Sequence, residues 1–302
     1  MGYQLSYIIS TCNRLPFLKL TLAKLIEQIQ ENEEIVVVDG HSTDGTQAYL
    51  ENLLKQGLIQ QYLSEKDRNQ AHGWNKAMLM AKGKIIKKII DDDVFDFQSI
   101  RKCASFMLTN PTVDVIISND LSVKLSEPQQ IYHNTRLGQY EKWIKKQVQS
   151  FTFGDVHMLI SKDALSLIGL YNTNYTMIDW EYSLRISYLR ANIIYYTGYN
   201  ALSVFHEQTV SGQKKDKEIA AQSKRAETFY EYAGDTAEIT LWSKLKITLG
   251  KYILKNKNTV VSQQSIADVR RIYEQFYKEV ETINASEKFQ FIGPVHFNEA
   301  KD

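Results

Sequence analysis

The chain has 302 residues, 43% hydrophobic and 24% charged, which excludes wholesale disorder and fibrous repeats. Lys and Arg number 36 against 35 Asp and Glu, and the resulting charge of +1 is no nucleic-acid footprint. Cys12 and Cys103 are too few for a disulfide framework, no uncharged apolar run reaches the roughly 18 residues of a spanning helix, and the start MGYQLSYIISTCNR lacks a basic leader and a cleavage site, so the expected location is cytoplasmic.

Residues 3–10 (YQLSYIIS) are β-rich and predict a first strand. Pro16 opens a helix, where its missing N–H costs nothing, and Leu18, Leu22, Leu25, Ile26 and Ile29 give that helix an apolar stripe. The run Ile35–Val38 is continuous and β-branched, as in a strand covered on both faces, and it stops at Asp39-Gly40. Ser42 or Thr43 caps a second helix reaching about Lys55, with Asp44 near its positive end. A third strand is expected at 58–63, a third helix at 72–82 and a fourth strand at 84–90. This alternation implies an α/β fold with a parallel, doubly wound sheet and right-handed crossovers.

Beyond residue 110 the spacing predicts strands at 113–118, 121–125 and 156–160, a helix from Asp179 to about Arg190, and strands near 193–196 and 201–205. From 216 the chain reads as helical up to an aperiodic stretch, 284–302. Within it, 241–257 carries five lysines and no acid, the pattern of a helix lying on an anionic membrane surface or packing its apolar face on the domain. Ile266, Val269, Tyr273, Phe276, Val280 and Ile283 follow a/d spacing over less than three heptads, a seam for docking on the domain or for a homodimer.

In doubly wound sheets ligands bind beyond the carboxyl ends of the strands. Those ends are Thr11–Arg14, Asp39–His41, Glu65–Arg68 and Asp91–Asp93, and three of the four carry carboxylates. No G-x-G-x-x-G follows the first strand, which disfavours a dinucleotide fold. Three adjacent carboxylates repel one another unless a cation is near, and hard oxygen ligands suit Mg²⁺ or Mn²⁺. A solvated turn with helix-capping aspartates is the plain alternative.

Taken in order, SYIISTCNR, EIVVVDGHSTDGT, SEKDRNQAHGWNKAM and KIIKKIIDDDVF resemble the family 2 glycosyltransferases of the GT-A fold. The resemblance covers about residues 3–206, and its V-D-G-x-S-T-D-G-T turn points to one subgroup, with His41 standing where that subgroup has its second Gly. It implies a mostly parallel, Rossmann-like sheet flanked by helices, with a catalytic domain at 1–215 and a helical extension at 216–302. The donor nucleotide-sugar half would be 1–110 and the acceptor half 111–215. It further implies a UDP- or GDP-sugar donor, a divalent metal (Mn²⁺ or Mg²⁺), and transfer with inversion to a glycan or lipid-linked acceptor.

Carried over residue by residue, Thr11, Asn13 and Arg14 match the first nucleotide-contacting turn, Asp39 the contact to base or ribose, and Asp67 an acidic position near the base. Asp91 and Asp93 match the metal-binding pair, with Asp92-Asp93 as the other register, and Asp92 otherwise joins the nucleotide-sugar contacts. His206, after the strand 201–205, matches a residue that reaches the metal or the diphosphate. Arg14 and Lys76 are candidates for pairing with phosphate or with a catalytic carboxylate, while Arg185 reads as a structural salt bridge. Asp179 matches the general base, a helix cap being its plain reading, and Glu181 is the fallback base. The loop 207–213 is a candidate lid. No Gln-x-x-Arg-Trp segment is present, so single-sugar, non-processive addition is expected in surface polysaccharide or glycolipid assembly. A nucleotidyltransferase and an inactive nucleotide-sugar-binding scaffold are the competing readings.

Overall fold

Two apolar layers, one on each face of a single sheet, explain why the early strands carry no polar alternation. Leu5, Tyr7, Ile9, Ile35 and Val37 belong to one buried cluster, and Ile8, Val36 and Val38 to the other. The structure is a computed structural model and describes residues 2–206, 216–234 and 266–294.

The first half alternates as expected: β1 (Leu5–Thr11), α1 (Leu15–Gln28), β2 (Glu33–Asp39), α2 (Thr46–Lys55), β3 (Gln61–Ser64), α3 (Gln70–Met80) and β4 (Ile85–Lys88). These strands pair in parallel in the order β3-β2-β1-β4, with Thr11 opposite Asp39 and Asp39 opposite Ser64. The polar strand ends therefore lie on one edge. Pro16 sits in the first turn of α1, whose Leu18, Leu22 and Leu25 are buried.

The second half comprises β5 (Val94–Phe95), α4 (Phe97–Thr109), β6 (Val115–Lys124), β7 (Ile131–Asn134), α5 (Leu137–Ile144), a 3-10 turn (Asp155–His157), β8 (Met158–Ser161), α6 (Leu165–Ile168), α7 (Ile178–Tyr188) and β9 (Ile193–Phe205). Then follow α8 (Asp216–Phe229), α9 (Ile266–Ser286) and β10 (Phe291–Ile292). The sheet continues as β4-β8-β6-β9-β10, where β8 is antiparallel to both neighbours and β6 runs parallel to β9.

Several boundaries differ from expectation. The segments 113–118 and 121–125 form one strand, β6, because register shifts at Ser118–Leu121 absorb the polar break. The segments 193–196 and 201–205 likewise merge into β9. Neither Ser42 nor Thr43 caps α2; its first flanking residue is Gly45 at φ +94, and Asp44 accepts from the Thr46 N–H (3.1 Å) and hydroxyl (2.6 Å). The same Asp44 accepts from Leu15 N at 3.0 Å, so one carboxylate ties the starts of two helices. The stretch expected to be aperiodic holds the end of α9 and the short strand β10, which pairs with Tyr195 and Tyr196 of β9.

On α9, Tyr273, Phe276 and Val280 are buried and Val269 and Ile283 partly so, all within the core cluster on one face of the sheet. The Tyr273 hydroxyl donates to the Asp92 carbonyl at 2.6 Å, and Asn284 donates to Asp96 and to the Tyr199 carbonyl, both at 2.7 Å. The segments 241–257 and 207–213 lie outside the described residues.

Lys87, fully buried in β4, points its ammonium at the carbonyls of Val156 and Met158 and the Asn200 side chain (3.0 Å), pinning the 3-10 turn to the central strand. Burial pulls its pKa down to about 7. The unfolded chain therefore binds more protons than the folded one between about pH 7 and 10.5, and this lysine makes stability rise with pH over that window. We expect urea unfolding of the wild type to show that rise between pH 7 and 9, and Lys87→Met to flatten it; an unchanged slope would mean that Lys87 stays charged in the fold.

Candidate active site

Beyond the strand ends lies a cavity of about 680 Å³. Thr11, Arg14, Asp67, Asp91, Asp92, Asp93 and Asp179 all line it. Asn13, Asp39, Lys76, Glu181 and His206 are not on its lining.

The aspartate triplet follows β4 and is buried. The Thr11 hydroxyl donates to Asp91 Oδ2 at 2.7 Å, and Arg14 reaches Asp91 through Nε at 2.8 Å and Asp92 through its terminal nitrogen. His206 Nε2 lies 2.7 Å from Asp92 Oδ2, its ring stacked on Phe17 at 4.6 Å. Asp93 Oδ1 accepts from Val204 N at 2.8 Å. One guanidinium and one imidazole thus face three carboxylates. Burial pushes the Asp91 carboxyl up to about 6, against the pull of Arg14 and with Asp92 adding to the rise. It pushes Asp93 well above the ordinary range, again with Asp92 adding.

Asn13 and Asp39 stitch two turns together. Asn13, at φ +54, donates its N–H to Ser42 Oγ (2.7 Å) and accepts from Thr43 N (2.8 Å). Asp39 is fully buried and accepts from the Ser42 N–H and hydroxyl and from Ser64 Oγ (2.8 Å). His41 adopts φ +67, the conformation that favours glycine, which accounts physically for a Gly in the related turn. Asp67 contacts Lys76 at 3.2 Å, and Lys76 also pairs with Glu65 at 2.9 Å, so this lysine is already engaged by two carboxylates. Gly73 makes room for Asp67, since a Cβ there would stand 2.6 Å from the carboxylate.

Asp179 is the second residue of α7, not its cap, which is Met177. Burial raises its pKa, with Asp155 adding to the rise and Lys88 opposing it. Glu181, two residues on, is fully buried elsewhere, bridged by Arg185 (2.9 and 3.1 Å) and accepting from Tyr230 at 2.5 Å. The Arg185 salt bridge expected from the sequence is therefore made with Glu181.

Sequence reasoning missed one part of the cavity. Lys88 Nζ lies 2.7 Å from Asp155 Oδ2, which also accepts from the Tyr171 hydroxyl at 2.7 Å, and the ammonium sits 4.4 Å from the Trp74 ring centre. The available signal was the pair of lysines inside the apolar strand KIIKKII. His157 and Asp120, 3.9 Å apart, line the cavity beyond.

The triplet's chemistry suits a divalent cation: hard oxygens, buried, with negative charge exceeding the local cations. Among the described residues no three His, Cys, Asp or Glu side chains converge as a complete cage. Mg²⁺-type ions are held by one or two carboxylates together with substrate phosphates, so the donor set fits a shared site. No described helix is long and apolar enough to cross a membrane.

Residues 6–169 match the family model described as glycosyl transferase family 2. A comparison with curated proteins gives no match. Among solved structures, TarS of S. aureus aligns with 92% of this chain and 55% of its own at 16% identity and TM-score 0.51. TarS 1–349 in complex with UDP-GlcNAc aligns with 92% of this chain and 90% of its own at 16% identity and TM-score 0.55. The mannosyltransferase PcManGT from Pyrobaculum calidifontis, in complex with GDP-Man and Mn²⁺, aligns with 95% of this chain and 88% of its own at 17% identity and TM-score 0.53. These likenesses establish a shared fold.

Arg14 carries the electrostatic load of the triplet. Arg14→Met should lower unfolding free energy by about 3 kcal/mol at pH 7.5, the scale for stranding a buried charge. The loss should shrink toward pH 5, because carboxyls with raised folded pKa values take up protons there and no longer need the guanidinium. Urea unfolding in EDTA at both pH values measures this; a loss that does not vary with pH would show that Arg14 acts through packing.

Proposed function

The chain belongs to glycosyl transferase family 2 and is a glycosyltransferase, and we propose that it is an inverting, metal-dependent, non-processive enzyme of the V-D-G-x-S-T-D-G-T subgroup. The observation that carries this reading is one cavity lined by Thr11, Arg14, Asp67, the Asp91–Asp93 turn and Asp179 together. Neighbours of the same fold bind UDP-GlcNAc or GDP-Man, which supports a UDP- or GDP-sugar donor here.

In this reading Thr11, Arg14, Asp67 and Asp92 face the donor, Asn13 and Asp39 keep the turns that present them in place, and Lys76 holds Asp67. Asp91 and Asp93, with His206 beside them, would hold Mn²⁺ or Mg²⁺, which neutralises charge on the diphosphate when bound. Asp179 accepts the proton of the acceptor hydroxyl as its oxygen bonds to the anomeric carbon. The bond from that carbon to the diphosphate oxygen breaks on the opposite face, so configuration inverts and the nucleoside diphosphate leaves with the electron pair. A raised pKa suits a group that must both release and take a proton near neutrality.

We assign 1–215 to catalysis, with donor and acceptor halves meeting near residue 110, and 216–302 to a helical extension. The acceptor is taken as a glycan or lipid-linked sugar of surface polysaccharide or glycolipid assembly. Location at the cytoplasmic side of a membrane, through 241–257, completes the proposal, and the seam of α9, buried in the core of its own chain, is read as docking and not as a homodimer face.

The deciding experiment is a panel of UDP- and GDP-sugars with Mn²⁺, read by donor hydrolysis and by thermal stabilisation. At least one sugar should register in both. Asp179→Asn, which cannot accept a proton, should lose about 10²- to 10⁴-fold in rate while keeping donor affinity. Glu181→Gln should lower stability by weakening the Arg185 pair, not the rate of the folded fraction. Silence across the panel favours the scaffold reading, and an Asp179→Asn rate within a few-fold of wild type removes this residue as base.

A further inference from the structure

The Lys88–Asp155 pair is buried, at 5% and 4% side-chain exposure, on the lining of the same cavity as Asp179. Burying such a pair is a poor way to add stability, since desolvating two charges offsets most of their attraction, and well-packed apolar residues of similar size do as well. The site is nonetheless elaborate. Tyr171 donates to the same carboxylate oxygen that meets Lys88, and the Trp74 and Tyr171 rings flank the ammonium at 4.4 and 5.3 Å. Neither charge is available to solvent, and Asp155 sits on the 3-10 turn against which α7 packs.

We propose that Lys88 and Asp155 are positioning residues for the electric field at Asp179: a matched pair of opposite charges, each cancelling the other at the carboxylate opposite. The inference rests on the reading of Asp179 as the base, but its first test does not. A carboxylate on a partly buried helix start beside a lone Asp155 would be driven toward its protonated form, because like charges in a poorly solvated cavity disfavour joint ionisation. Beside a lone Lys88 it would be held ionised well below the pH at which a base must take up a proton. Only the pair leaves the field at Asp179 near balance.

Other charges near Asp179 are already compensated or uncharged. On α7 itself, Glu181 is engaged by Arg185. From the 3-10 turn, burial lowers the pKa of His157, leaving a neutral imidazole. On α8, which packs on α7, Arg225 is exposed, and Tyr230, the residue after α8, donates to Glu181. Burial holds Tyr171 and Tyr182 in their neutral forms. Across the cavity, Asp91 and Asp92 are paired with Arg14, Asp67 with Lys76 and Asp120 with Arg136 at 4.0 Å, and burial pushes the Asp93 carboxyl toward its neutral form. Removing one member of the Lys88–Asp155 pair therefore changes the nearest uncompensated charge, with a sign set in advance.

The test uses the full chain labelled with [¹³C]aspartate. The carboxyl resonance of Asp179 is identified by its loss in Asp179→Asn, and its pH midpoint is followed without any substrate. Asp155→Asn leaves Lys88 alone and should lower that midpoint by about 1 unit, while Lys88→Met leaves Asp155 alone and should raise it by about 1 unit. The double variant is neutral at this site and should return to within a few tenths of wild type; it also covers the case in which Lys88→Met fails to fold. Tyr171→Phe removes a hydrogen bond but no charge and should move the midpoint least. Shifts of the same sign in the two single variants, or no shift in Asp155→Asn, overturn the proposal. Failure of the base reading is separable: opposite shifts with undiminished transfer by Asp179→Asn keep the pair and discard the base. Unmoved midpoints with an inactive Asp179→Asn do the reverse.

Discussion

Three carboxylates side by side at the end of a buried strand repel one another, and much of this structure is arranged around that repulsion. Arg14 answers it with charge, from the residue just before α1. The Thr11 hydroxyl donates to Asp91, the Val204 N–H to Asp93, and the Thr21 and Tyr273 hydroxyls to the carbonyls of Asp91 and Asp92. Those donors come from β1, β9, α1 and α9, so elements far apart in sequence converge on one turn. The compensation is partial, as the raised pKa values of Asp91 and Asp93 show. A site left short of positive charge is disposed to take up a cation, and here that disposition comes from burial.

The C-terminal segment belongs to the same arrangement. Helix α9 packs its apolar seam into the core on one sheet face, and β10 extends the sheet by pairing with β9, the strand whose end leads to His206. Through Tyr273 it reaches the backbone of the aspartate turn, and through Asn284 it fixes Asp96, the residue that caps α4 just after that turn. The turn is thus held from one side by Thr11, Arg14 and Thr21 and from the other by residues nearly two hundred positions later.

Much of this was legible in the sequence because the relevant signals are local. The β-branched run before Asp39, the Pro at the start of α1 and the four polar strand ends each announce themselves within a few residues. What was not legible depends on pairing across the fold. Ser42 looks like a helix cap, but its hydroxyl is drawn to Asp39, and the capping passes to Asp44. Residues 119–120 look like a break between strands, yet the pairing of β6 with β9 carries both through it. Glu181 and Asp179 are indistinguishable by composition, and only Arg185 and Tyr230 decide that Glu181 faces inward while Asp179 lines the cavity. Phe291 and Ile292 gave no periodic signal, since two residues are too few to alternate.

Lys88 and Asp155 illustrate the same limit from the opposite direction. A lysine in a strand covered on both faces violates the rule that buried positions are apolar, and β4 carries two of them in succession. Because neighbours on a strand point to opposite faces, Lys87 and Lys88 enter different environments. Lys87 meets carbonyls and an amide, with Asp155 and Asp93 only as more distant charges, and burial draws its pKa down to about 7. Lys88 meets a carboxylate 2.7 Å away. One residue type, placed twice on one strand, thus ties the sheet to the 3-10 turn on one face and supplies a compensated cation to the cavity on the other. Neither role follows from the residue alone; each follows from the acceptor that the opposite layer presents.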